Sequence, residues 1–143
     1  MSDHTPAQLA RILAPLWEAV PEARPAYSDN GIHDTLCVKE WDRNIGLHWC
    51  FEGRDGCCVF ITDGLARDLI LARLQLAIEK RVNANGGYLD MYSAGNLGLN
   101  ITACLFVPDE NSMAFSSIHP DPIIARAQLL AEIIGVELGD ADA

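Results

Sequence analysis

The residues best suited to chemistry in this chain are its four histidines and five cysteines. His33, His48, Cys50, Cys57 and Cys58 fall within one short stretch, and imidazole with thiolate is a zinc donor set. No Cys-x-x-Cys pair is present. Strand alternation puts His48 and Cys50 on one face but Cys57 and Cys58 on opposite faces. At most three of the five can converge, so neither a metal centre nor any cofactor is expected. A Cys/His nucleophile needs a thiol whose pKa is lowered by a cation or a helix N-terminus. Cys58 instead has Asp55 and Asp63 as near neighbours in sequence, and such charges would raise it. Ser116, Ser117 and His119 offer a Ser/His pair, but no Gly-x-Ser-x-Gly elbow surrounds them. A small hydrolase using either pair is retained as an alternative, and the reading leans towards a protein that is not an enzyme. Ser93 to Gly98 is glycine-containing but does not run into a helix, so it lacks the context of a phosphate cradle.

Arg73 and Arg126 sit at matching places in two similar helical segments. Each lies at the border of an apolar face, where an arginine stem packs on the core and its head stays wet. If the two helices were neighbours, the guanidinium groups could form a paired anion contact. Trp41 lies between Glu40 and Asp42 near a strand end and is expected to be exposed, hence a candidate interface anchor. Asp109, Glu110 and Glu132 are the acidic residues expected to meet a partner.

These residues belong to a chain of 143 residues with net charge −10 and 50% hydrophobic composition. That length supports one domain, 1–143, burying about two thirds of its unfolded surface. The composition is globular and not disordered. Residues 1–81 hold 12 acids and 9 bases, whereas residues 82–143 hold 8 acids and one base. Such a surface repels phosphate backbones, so nucleic acid is not an expected partner. A protein partner is expected; the acidic surface could attract a basic one, and it also serves solubility. No apolar run approaches the roughly 20 residues that span a bilayer, and no signal-like start is seen. A cytoplasmic location in a bacterial host, with no membrane contact, is therefore expected.

The elements that must position these residues carry an internal repeat. Asp68 to Leu76 recurs as Asp121 to Leu129, 53 positions later, with Asp, Ile, Ala, Arg, Gln and Leu shared. A repeat of this kind indicates one structural unit used twice. Thr5-Pro6-Ala7-Gln8 is a capping-box start, followed by Leu9, Ile12, Leu13, Leu16 and Trp17 at helical spacing. Residues 21–31 read as a loop. Strand-like stretches run from Thr35 to Trp41, Ile45 to Phe51 and Cys57 to Thr62, the last two joined by a turn at Gly53 to Gly56. Asp63 is expected to cap a helix with core face Ile70, Leu74, Ala77 and Ile78. Tyr88 to Tyr92, Leu99 to Val107 and Ser112 to Ile118 repeat the strands. Asp121 and Pro122 open a last helix with core face Ile123, Ala127, Leu130 and Ala131, and Ile134 is expected to be buried with them. The fold class is α+β: an antiparallel sheet with helices in the order α-β-β-β-α-β-β(β)-α. The duplicated strand-strand-helix units span about 33–82 and 88–137. A third helix on the opposite side would make three layers. Open sheet edges and common two-fold pairing suggest a homodimer. The tail from Glu137 to Ala143 is expected to fray.

Ser117 to Ala131, with its polar link, prolines and Ala-Leu-rich helix, resembles the C-terminal end of small phage proteins with an α-β-α sandwich domain. That resemblance covers roughly the last third of the chain. It implies a phage or prophage accessory protein without assigned activity, acting by protein–protein binding, including as an acidic inhibitor of a host defence protein. The order of elements, size and acidity also look like dimeric type III secretion chaperones, although the leucine-rich segment before the fourth strand is missing.

Overall fold

The computed structural model describes residues 4–29, 32–42, 46–53, 56, 58–106 and 113–142, at 28–29 and 32–34 through the backbone alone. The chain begins with helix α1, Pro6–Ala19. Thr5 caps it reciprocally with Gln8, through bonds of 3.2 and 2.9 Å, so two otherwise orphaned N–H groups are satisfied. Four strands follow: β1 Ala26–Asp29, β2 Ile32–Asp42, β3 Gly46–Glu52 and β4 Cys58–Phe60. Helix α2, Asp63–Ala84, then leads to β5 Tyr88–Ser93, β6 Leu99–Leu105 and β7 Met113–His119, and α3 spans Pro122–Ile134. The fold is α+β with antiparallel pairing throughout. The strands form two sheets, β1-β2-β3-β4 and β5-β6-β7. Strand, strand, helix recurs as β3-β4-α2 and β6-β7-α3, in the same sequential order.

The helices pack on the sheets and on one another. Helix α1 packs on β2 and β3, α3 packs on β6 and β7, and α2 touches both sheets as well as α3. One continuous core joins them, including Leu13, Leu36, Trp49, Ile70, Leu74, Ile101 and Leu130. The expected faces of α2 and α3 are the buried ones: Ile70, Leu74, Ala77 and Ile78, then Ile123, Ala127, Leu130 and Ala131. A 3.6-residue period places such positions on one stripe. Two sheets stand where the sequence led to the expectation of one. The order of elements differs from that of the secretion chaperones by an added strand in each half. Each helix covers its apolar stripe against the sheets and the other helices.

Several local expectations are corrected. Residues 26–29 form β1 because β2 extends beyond its pairing with β3 and offers backbone groups at Ile32 to Thr35. Thr62, not Asp63, is the cap of α2, accepting from the Leu65 N–H at 3.2 Å. Ile134, near the end of α3, is only partly buried. The tail does not fray. Leu138 packs on the core, Gly139 N–H donates to the Ile12 carbonyl at 2.9 Å, and Arg11 Nε donates to the Ala141 carbonyl at 3.0 Å. Pro15 lies inside α1 and has no N–H, so the helix leaves an acceptor uncovered near Arg11. Gly139 fits there because a Cβ would stand 2.0 Å from the Arg11 carbonyl oxygen.

Helix α2 is tied to α3 at its start. Asp121, 6% exposed, caps α3 by accepting from the Ile123 N–H at 2.9 Å and pairs with Arg67 Nη2 at 2.6 Å. Gly98, with φ +96°, turns the chain into β6 where a Cβ would meet the His119 carbonyl oxygen at 2.3 Å; only glycine adopts that conformation without strain.

Candidate functional site

The outer face of the four-stranded sheet brings together two thiols, an ion pair and an aromatic group. Register places Cys37 opposite Cys50, Lys39 opposite His48 and Thr35 opposite Glu52. On the other side of β3, Cys58 opposes Glu52 and Phe60 opposes Cys50. Period-two alternation gives these residues one face. Leu36, Val38, Trp49 and Phe51 take the other face and join the core.

At one end lies an aromatic group. The register shifts between Glu40 and Asp42, and such a bulge frees one residue from the ladder and re-aims its side chain. That residue is Trp41. Its ring stacks on Phe60 with centroids 5.3 Å apart and planes 14° apart, and meets His48 edge-on at 5.6 Å. Aromatic pairs of this geometry contribute about 0.5–1.5 kcal/mol beyond area burial, so the ring is held in place while 55% exposed. Beside it is a hollow of about 580 Å³, lined by Pro6, Trp41, Leu47, His48, Phe60 and Ile61 among others. Asp63 lines the same hollow and accepts a hydrogen bond from Trp49 Nε1 at 3.1 Å.

At the other end lie thiols and an ion pair. Cys37 Sγ and Cys50 Sγ are 3.6 Å apart, and Cys37 Sγ is 3.8 Å from Glu52 Oε2. Lys39 pairs with Glu52 across them. Burial is the main cause that pushes the Cys50 thiol up to about 12, with Cys37 and Cys58 adding to it. Burial also raises Cys37. Both thiols are protonated at neutral pH, which makes them slow nucleophiles. The Lys39 bond holds the Glu52 carboxyl below its usual range and raises the Lys39 ammonium. This pair is solvent-exposed and therefore contributes little to stability.

The other candidate residues are dispersed. Arg126 donates to Gln75 Oε1 at 2.7 Å and to the Pro122 carbonyl at 3.1 Å, and burial lowers its pKa. Arg73 lies in a separate hollow with Glu22, Leu76, Ala77 and Lys80. Helices α2 and α3 are neighbours, but the guanidinium of one repeat is engaged by the glutamine of the other and not by an anion shared with Arg73. Ser117 donates to Gln128 at 3.0 Å, Ser116 pairs with Thr102 at 3.2 Å, and His119 Nδ1 accepts from the Asp121 N–H at 2.9 Å. Each member of the Ser/His trio is thus engaged outside it. Glu132 is exposed on α3. Asp109, Glu110 and Cys57, and the side chain of His33, lie outside the described residues. Among the described residues no cluster of three donors suits a metal ion, and no helix is long and apolar enough to cross a membrane. Sequence reasoning missed the Cys37–Cys50 pairing. Counting back from the β2–β3 turn could have found it only with the bulge at Trp41 known.

Comparison with protein-family models, with curated proteins and with solved structures found no match for this chain.

Proposed function

We propose that this chain is a non-enzymatic phage or prophage accessory protein that works in a bacterial cytosol by binding a basic protein partner. The phage or prophage origin rests on the resemblance of Ser117 to Ala131, and the observation behind the binding reading is Trp41. It is a large aromatic residue held rigid by Phe60 and His48, yet left half in solvent beside an apolar hollow. Preordered aromatic residues next to a pocket are the usual centres of binding energy in protein interfaces. The occupant expected is a segment with an apolar side chain to enter the hollow and a lysine or arginine beside it. Asp63 lines the hollow, Glu40 is exposed next to Trp41, and the chain carries net charge −10. A cation over the Trp41 ring would add a further attraction. Inhibition of a host defence protein would follow from blocking the surface it contacts.

The test is affinity for a partner captured from host lysate and then purified. Trp41→Ala should weaken binding by about 30-fold or more, the effect of losing roughly 2 kcal/mol at an interface centre. Binding should weaken only in part at 1 M salt, because screening acts on the exposed charges and not on the apolar contact. Unchanged affinity in Trp41→Ala would refute the aromatic site. Complete loss of binding at high salt, with sensitivity to Glu132→Lys, would move the contact to the acidic surface. Light scattering that shows a dimer broken by Trp41→Ala would make a second copy of the chain the occupant.

A further inference from the structure

The thiol end of the same face points to a chemistry independent of partner binding. Cys37 and Cys50 are direct cross-strand neighbours, and their sulfurs are 3.6 Å apart. Opposed residues of an antiparallel pair have Cα atoms about 4.5–5.5 Å apart, which lies within the span a disulfide bridges. Closing the bond to about 2.05 Å requires side-chain rotation and little backbone movement. The two sulfurs differ in access. Cys50 is fully buried, whereas Cys37 is partly exposed.

Cys37 is the partly exposed partner and so the one a small solute meets first. It also borders a hollow of about 430 Å³ with Ala10, Ala14, Trp17, Arg24 and Val38. The Arg24 guanidinium stands 5.2 Å over the Trp17 ring and donates to the Leu36 carbonyl at 2.8 Å. Trp17 Nε1 is buried without a hydrogen-bond partner. An unpaired buried donor is uncommon and asks for an acceptor.

We infer that Cys37 and Cys50 form a peroxide-sensitive dithiol, in which a small hydroperoxide reaches Cys37 first and Cys50 resolves it into an intramolecular disulfide. The Cys37 sulfur attacks one peroxide oxygen and the O–O bond breaks. Cys37 becomes a sulfenic acid, and the other oxygen leaves as water (or as an alcohol, from an alkyl peroxide). The Cys50 thiol then attacks the Cys37 sulfur, the S–O bond breaks, and a second water leaves. Two thiols and one peroxide become one disulfide and two hydroxylic products, so the two electrons lost by sulfur are those gained by oxygen. Because both thiols are held protonated, the reaction is slow. It is a stoichiometric oxidation and not a catalytic turnover.

The experiment treats the full-length protein with hydrogen peroxide and reads intact mass and a non-reduced peptide map. The expected product has lost two hydrogens, is a single chain, and carries a Cys37–Cys50 cross-link. Cys58→Ser should form the same link. Cys50→Ser should stop at the first step and give a dimedone adduct on Cys37. A link that maps to Cys57, Cys58 or Cys104, a cross-link between chains, or a dimedone adduct on Cys50 in Cys37→Ser at the rate seen for Cys37 would overturn the inference. So would a folded wild-type protein that keeps all its thiols under conditions that oxidise the urea-unfolded chain. That last comparison needs no variant, so it decides the matter even where a substitution prevents folding.

Discussion

Asp121 is where the two repeats are joined, and its removal has a size that the structure sets. One carboxylate oxygen accepts the Ile123 N–H at 2.9 Å, and the other accepts Arg67 Nη2 at 2.6 Å. The aspartate side chain is 4% exposed and the arginine side chain 26% exposed. Asn at a helix N-cap is about as good as Asp, so Asp121→Asn keeps the cap and deletes the charge. That loss should be about 1.5–3 kcal/mol, the range for a hydrogen bond to a charged group. Asp121→Ala removes the cap as well, adding about 1 kcal/mol. Arg67→Met leaves a carboxylate with no cation in a nearly dry place. Breaking a fully buried pair costs about 3–5 kcal/mol, and the partial exposure of Arg67 puts this one near the lower end. The double variant Arg67→Met/Asp121→Asn should then be little worse than either single change, with a coupling of about 2 kcal/mol. Urea unfolding measures the wild type and the four variants, and the slope should not change, since the same surface is exposed. Two single losses within about 0.5 kcal/mol of zero, or losses that simply add, would show that the pair behaves like an ordinary surface contact and that the reasoning from burial is wrong.

Three further outcomes are expected. Leu74→Ala should cost about 2–5 kcal/mol in urea unfolding, because Leu74 is 0% exposed in the joint core; a loss below about 0.5 kcal/mol would mean that the α2 face is misassigned. Gly139→Ala should release the C-terminal tail, since its Cβ would stand 2.0 Å from the Arg11 carbonyl oxygen; hydrogen exchange should then quicken at the amide of residue 139, which bonds the Ile12 carbonyl, while α2 stays protected. Stability should fall as pH rises above about 9, the ordinary thiol value, because the unfolded Cys50 ionises there while the folded thiol holds its proton to about 12. The unfolded state then binds fewer protons than the native one, so the slope of stability with pH is negative. Cys50→Ser should flatten that slope in chemical unfolding at pH 8 to 10.5.

Much of the local structure was legible from residues alone. Thr5 and Gln8 announced the first helix through their capping pattern, and the 53-residue offset between Ile70 and Ile123 identified two equivalent buried faces. Helix faces are readable because their period is set by backbone geometry and needs no partner to be known. Tertiary structure decided what depends on distant chain segments. Residues 26–29 look like a turn in sequence and become a strand because Ile32 to Thr35 supply hydrogen-bond partners. Glu137 to Asp142 look like a loose acidic end and are held because Gly139 and Ala141 bond to Ile12 and Arg11 of α1 and Leu138 finds the core. Backbone pairing is nearly blind to side-chain identity, so no local pattern could say that the strands would divide into two sheets. The candidate site divides in the same way. The exposure of Trp41 follows from its charged neighbours Glu40 and Asp42. Its stacking on Phe60, and the meeting of Cys37 with Cys50, depend on a bulge and a register that only the folded sheet sets, because a slip of one residue would send every one of these side chains to the opposite face.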